Sequence, residues 1–326
     1  MLVTPPASNS HPTPNASPRQ RLFHMPLLAL LPISLCACGS DSGGQGTVQV
    51  FVEPEDSITD GLTAGDGEEQ VVDGWNVEYD RFVATIGRVR ASRSDTEDME
   101  LLDERVFVVD LQAVPAAGLT IAEFESVDAT RFQRFGFDMP NADEDSLRAD
   151  GTGQADFDEM VEGGYSLIVE GRIYRDGGMA CRPTAPDDCI EVDEVRFEFR
   201  ISAGTSFDDC AAESGDSGFA VPAGGTVQVK PTIHGDHWFF SDITQGAERT
   251  ERRAQWVANA DLDRDGLTTT EELADTMASD LFTPEHYNLT GAISPIVTGL
   301  DYLVAQAHTL GDFQGSGECP TREALP

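Results

Sequence analysis

The spacing of hydrophobic positions changes character twice along this chain. After an apolar run over 25–35, short β-branched and aromatic runs begin at Thr47, broken by Gly, Asp, Asn and Pro, and continue to about residue 233. Runs of this kind, bounded by turn-forming residues, predict antiparallel strands, here over 47–52, 77–89, 105–114, 127–137, 165–175, 192–202 and 226–233. The clearest is the sixth, where Val195, Phe197, Phe199 and Ile201 alternate with Glu194, Arg196, Glu198 and Arg200. That period of two puts one face in a core and the other in water. Beyond residue 245 the period lengthens. Helices are predicted over 247–260 and 271–279, and Ser294-Pro295 has the N-cap and first-turn arrangement of a third, over 296–310, with Leu300, Leu303, Val304 and Ala307 at helical spacing. The fold class expected is mainly β: an antiparallel β-sandwich over 47–245, then a small α-helical part over 246–326.

Composition narrows the partners. With 326 residues, 40% of them hydrophobic, the chain can bury a substantial core. Its 58 acidic and 21 basic residues give a net charge of −37, and Lys230 is the only lysine. A surface this acidic repels phosphate backbones, so nucleic-acid binding is excluded, and the charge reads as a solvated face.

The first 37 residues read as an address. Arg19 and Arg21 precede the apolar run, which is too short to span a bilayer. Leu35-Cys-Ala-Cys38 resembles the signal of bacterial lipoproteins. The resemblance implies cleavage after residue 37, a lipid on Cys38 that anchors the chain to a membrane, and, with Gly39-Ser40-Asp41 following, the outer membrane. An ordinary secretory signal is the alternative, and export follows from either. Residues 38–46 have the Gly/Ser-rich composition of a flexible tether. Losing Arg19 and Arg21 with the signal takes the charge from −37 to −39.

Cys38 apart, four cysteines then remain, an even number in a compartment where disulfides persist. Three pairings are open. Cys181 and Cys189 bracket a loop containing Pro and Asp between two strands, so they are expected to pair with each other and Cys210 with Cys319. None of the spacings is Cys-x-x-Cys, which argues against a thiolate metal site.

The most specific stretch is Asp261-Leu-Asp-Arg-Asp-Gly-Leu-Thr-Thr-Thr-Glu-Glu272. Asp261, Asp263 and Asp265 fill positions 1, 3 and 5 of a twelve-residue calcium loop, Gly266 supplies the sharp turn at 6, and Glu272 offers two oxygens at 12. The stretch resembles the EF-hand family. That resemblance implies a Ca²⁺ ligand set of Asp261, Asp263, Asp265, the Leu267 carbonyl, a Thr269 hydroxyl or held water, and Glu272. Thr268 stands where the family places Ile, Leu or Val, and no second loop follows the pattern, so a structural site is expected, not a paired sensor.

Two further clusters invite chemistry. Gly215-Asp-Ser-Gly218 resembles the nucleophile motif of chymotrypsin-like proteases, but the only histidines before it are His11 and His24, both in the signal. Without a base, a nucleophile and an oxyanion donor together, no enzymatic activity is expected. In Thr232-Ile-His-Gly-Asp-His-Trp-Phe-Phe-Ser-Asp242, His234 and His237 lie three apart. With Asp236 and one of His286 or His308 they could form a Cu or Zn site, since imidazoles suit those metals. The plainer alternative is a strand end whose histidines bond to backbone. The acidic stretches 143–145 and 150–159 read as surface connections. Taken in order, lipid signal, tether, β region, Thr-Ile-His-Gly-Asp-His, calcium loop and Cys-containing tail resemble predicted lipoproteins of myxobacterial type, which implies location and architecture but no activity. The function expected is a calcium-binding, membrane-anchored lipoprotein acting as a binding or structural module, with transition-metal binding at His234 and His237 as the alternative; the sequence names no protein partner.

Overall fold

A computed structural model describes residues 43–324, except 54, 97 and 245–249. The signal expected over 1–37, Cys38 and residues 39–42 of the expected tether lie outside the described residues.

The fold is mainly β, with 42% strand against 15% helix and curled sheets. It is organised around one long strand, Asn76–Ser92, which pairs antiparallel with three others. Its first half meets Leu167–Tyr174 and its second half meets Leu101–Asp110 and Arg134–Met139. Residues 82–87 are buried without a break, so here the strand is covered on both faces and the usual alternation is lost. The strand changes partners through a bulge at Gly87-Arg88. A Cβ on Gly87 would lie 2.1 Å from the Arg105 carbonyl oxygen, and Arg88 turns to φ 46°. Only glycine permits that approach, and the extra residue bends the sheet.

The resulting nine-stranded sheet runs Leu267–Thr269, Glu194–Ile201, Leu167–Tyr174, Asn76–Ser92, Arg134–Met139, Thr205–Phe207, Thr321–Glu323, with Leu101–Asp110 and Leu147–Arg148 branching from the long strand. A second sheet places Gln45–Val52 between Thr226–Val229, parallel to it, and Leu119–Asp128, antiparallel. The strand predicted over 226–233 is thus two: after Lys230, Pro231–Ile233 leaves that sheet to pair with Gly311–Phe313.

The alternation over 194–201 is realised, with Val195, Phe197, Phe199 and Ile201 all buried. Against this face pack the C-terminal segments. Trp256 stacks on Phe199 at 5.9 Å and meets Tyr302 edge-on at 5.7 Å, and Tyr302 in turn stacks on Phe282 at 4.1 Å. One apolar core therefore runs without a seam past the boundary expected at 245, and the described residues form one compact unit.

The helices are shorter than the periodicity suggests, and each difference has a local cause. Before Gln255–Ala260 the chain over 251–253 is extended, because Ser241 and Arg253 exchange backbone hydrogen bonds with Glu251 and Phe239. The helix predicted over 271–279 is Thr270–Asp275, ending where Met277 bridges to Thr298. Thr298, not Ser294, caps the last long helix, Gly299–Ala307, through a reciprocal box with Asp301. The acidic connection over 150–159 is corrected too: it enters the helix Gln154–Gly163. Phe157, Met160 and Val161, at i, i+3 and i+4, cover Val83, Val108 and Ile168. Its acids face two arginines of the sheet, Arg81 with Asp156 and Glu159, and Arg200 with Glu159.

Both expected disulfides are present. Cys181–Cys189 joins the two strands of the hairpin Met179–Arg182 and Ala185–Glu191, and Cys210–Cys319 ties the chain end to the sheet across 109 residues. Closing so long a loop restricts the unfolded chain most, on the order of 4 to 5 kcal/mol in the loop-entropy account.

Candidate metal centres

The acidic loop is held from both ends. Gln255–Ala260 delivers Asp261 with its side chain turned inward, only 5% of the residue exposed. Asp261 Oδ1 accepts from the Asp265 N–H at 3.1 Å and Oδ2 from the Gly266 N–H at 3.0 Å, so the first ligand position fixes the turn across the loop. Gly266, at φ 86°, supplies the left-handed turn. Asp263 Oδ1 also accepts from the Asp265 N–H, and Asp265 Oδ1 accepts from Leu267 N–H. One oxygen from each of the three aspartates lies within 4.8 Å of the others. Glu272 closes the far side: its Oε1 accepts from Leu262 N–H at 2.8 Å and its Oε2 from Thr269 N–H at 2.9 Å. The Thr269 hydroxyl is engaged with Glu272 as the helix cap, which leaves a held water as the ninth-position ligand of the two expected.

This crowding has an electrostatic signature. The Asp261 carboxyl is raised above its usual range, first by burial and then by the charges of Glu272 and Asp265, against the hydrogen bonds from Gly266 and Arg264. A divalent cation relieves that repulsion directly.

Two neighbours brace the loop. Leu267–Thr269 adds as a parallel strand to Glu194–Ile201, in register Arg196 with Leu267 through Glu198 with Thr269, and Arg196 N–H donates to the Gly266 carbonyl. Thr268 is fully buried and its hydroxyl donates to the Val257 carbonyl at 2.7 Å, so the residue that departs from the family pattern stitches the loop to its own incoming helix. The disulfide-closed hairpin leans on the other side. Arg182 donates to the Leu262 carbonyl at 2.9 Å, Arg264 pairs with Asp188 at 2.9 Å, and Cys181 N–H donates to Asn259 Oδ1 at 2.9 Å.

The histidine cluster is built from segments far apart in sequence. Pro231–Ile233 pairs with Gly311–Phe313, placing Thr232 opposite Asp312 and His234 two residues on, along the same face. His234 Nε2 lies 3.2 Å from Asp312 Oδ2. The chain then turns at Gly235, whose carbonyl accepts from the buried Tyr79 hydroxyl, into the 3₁₀ turn His237–Phe239. His237 stacks on His234 at 5.0 Å, and its Nδ1 is 3.0 Å from the Thr309 hydroxyl. Asp236, 5% exposed, gives Oδ2 to Arg252, while its buried Oδ1 has no hydrogen-bond partner and lies 3.9 Å from His234 Nδ1. One ring nitrogen of each histidine and an oxygen of Asp236 lie within 4.8 Å of one another.

Burial acts most strongly on both rings, in opposite outcomes. For His234 it is outweighed by the hydrogen bond and charge of Asp312, with help from Asp236, and the ring is raised to about 9. For His237 burial prevails, and the ring is lowered to about 4.

The other expected participants lie elsewhere. His286 is exposed in the turn that follows Thr283, and His308 bonds through Nδ1 to the Thr205 hydroxyl at 2.8 Å, so neither joins the pair. Asp312 stands beside His234 instead, and nothing in the local sequence announces it. Ser217 is an exposed turn residue bridged to Ala211, its carbonyl accepting from Arg131. Comparison of the chain with protein-family models, curated proteins and solved structures gives no match.

Proposed function

We propose that this chain is an exported calcium-binding lipoprotein in which the ion is a structural part of a binding or scaffolding module. The observation that carries this reading is the convergence of Asp261, Asp263 and Asp265 to within 4.8 Å around a turn held by their own backbone donors, with Glu272 facing them. Hard carboxylate and carbonyl oxygens in a flexible cage suit Ca²⁺, whereas Mg²⁺ keeps its waters and demands a tighter octahedron. Asp261, Asp263, Asp265, the Leu267 carbonyl, a water at Thr269 and bidentate Glu272 supply the ligands. Parallel pairing of Leu267–Thr269 with the main sheet favours a static role, because opening the loop also breaks a sheet edge. We read the two larger sheets as the layers of a sandwich on whose flank the EF-hand-like segment sits.

Sites in extracellular modules bind near 10⁻⁴ to 10⁻³ M, and calcium at about ten to a hundred times the dissociation constant adds roughly 1.4 to 2.7 kcal/mol to folding. Melting the purified chain with calcium and with chelator tests this: calcium should raise Tm by several degrees, magnesium should do little, and Asp261→Ala or Glu272→Gln should erase the rise. Equal melts in the wild type would end the reading.

Export and lipidation rest on the Leu35-Cys-Ala-Cys38 pattern, and two disulfides in one chain fit an oxidising compartment. In a bacterial host the chain should take up labelled palmitate and Cys38→Ser should not; label retained by the variant would leave plain secretion.

A further inference from the structure

We infer that His234, Asp236 and His237 form a second, chemically different metal site, one for a divalent transition-metal ion such as zinc. Hydrogen-bond bookkeeping points to it. Each of the three side chains has one polar atom engaged, and one ligand atom of each lies within 4.8 Å of the others. The contact of His234 Nε2 with Asp312 leaves Nδ1, whose proton a metal ion displaces; Thr309 engages His237 Nδ1, leaving Nε2; Arg252 takes Asp236 Oδ2, leaving Oδ1. That last oxygen is buried with no hydrogen-bond partner, His234 Nδ1 lying 3.9 Å away, and a buried carboxylate oxygen is costly to keep unless something positive meets it closely.

The surroundings match what imidazole ligands need. A metal-bound histidine presents its other nitrogen to a carboxylate or another oxygen, which fixes ring and tautomer; Asp312 does this for His234 and Thr309 for His237, and the Thr309 hydroxyl is itself committed to the Gln306 carbonyl at 2.9 Å. Two imidazoles and one carboxylate make a borderline donor set that favours zinc and its neighbours over calcium. Charge also closes. Once the ion has displaced the His234 proton, its two charges and that of Arg252 balance Asp236, Asp312 and Glu55, whose charge reaches His234. Zinc at about 2.0 to 2.2 Å from each ligand needs the donors roughly 3.3 to 3.5 Å apart, so the cluster tightens by on the order of 1 Å when filled.

The test adds zinc to the full chain already saturated with calcium, in competition with a coloured chelator. One zinc per chain should bind with submicromolar affinity. His234→Gln and His237→Gln should each weaken it by a hundredfold or more, Thr309→Val about tenfold through the ring it orients, and Asp261→Ala not at all. Cobalt in place of zinc should give a visible absorption band that His237→Gln removes. Because Asp236 is paired with Arg252, the histidine variants carry the decision, and an intact calcium-dependent melt certifies their folding. Absence of stoichiometric zinc at micromolar concentration, affinity indifferent to both histidine changes, or affinity lost with Asp261→Ala would each overturn the assignment.

Discussion

The acidic loop and the histidine cluster both gather candidate cation ligands, and they are built in opposite ways. The loop draws its ligands from twelve consecutive residues, and its carboxylates already accept from the N–H groups of residues 262, 265, 266, 267 and 269. Its geometry is carried by local backbone. The histidine cluster draws on residues 234–237 and on Thr309 and Asp312, brought together only by the pairing of Pro231–Ile233 with Gly311–Phe313. Its geometry is a product of the tertiary fold, and it is left with a buried oxygen that has no hydrogen-bond partner. A locally encoded site can be structural and weak, whereas a site made by the whole fold places fewer, softer ligands in a drier setting.

The sharpest way to break this contrast is the residue the two regions share. Trp256 lies 1% exposed at the start of the helix that delivers Asp261, and it touches Phe199, Tyr302 and Phe239, the last in the 3₁₀ turn that begins with His237. Trp256→Ala should cost about 3 to 5 kcal/mol in denaturant unfolding and lower affinity for both calcium and zinc. If only one affinity falls, the two regions share less of the core than their contacts imply. A smaller effect is expected at Thr268, where valine keeps the shape but strands the Val257 carbonyl. Thr268→Val should cost roughly 1 to 3 kcal/mol and weaken calcium while leaving zinc unchanged. Stability unaltered within a few tenths would mean that another donor reaches that carbonyl. The smallest effect expected is none: His237→Gln should leave the calcium-induced rise in Tm as in the wild type, since its ring shares no hydrogen bond with the loop. A lost rise would show the two sites to be coupled.

The same contrast explains what could be read in advance. The strand over 194–201 was legible because one face is wet, so burial alternates with sequence. The strand Leu119–Asp128 was not, because two register shifts against Gln45–Val52 scramble its alternation. The helix Gln154–Gly163 hid behind its acids, whose partners Arg81 and Arg200 lie on distant strands. Every candidate side-chain ligand of the acidic loop stood in the sequence, but its bracing by Arg196 and by the disulfide hairpin did not. For the second centre only His234, Asp236 and His237 were visible. Asp312 could not be nominated without knowing which strand lies beside Pro231–Ile233, and the free oxygen of Asp236 exists only because Arg252 takes the other.

The three-residue strand at the mouth of the loop has a consequence for how this molecule meets others of its kind. Leu267–Thr269 caps one margin of the nine-stranded sheet, lying on Glu194–Ile201, eight residues of alternating apolar and charged side chains. Uncovered, such a margin is a template on which a neighbouring chain can add a strand. On the proposed reading, an ion that steadies the loop would also keep that template masked. Calcium-starved preparations should therefore gain dimers and larger particles in light scattering before any drop in overall strand signal, making the ion a guard of solubility as much as of stability.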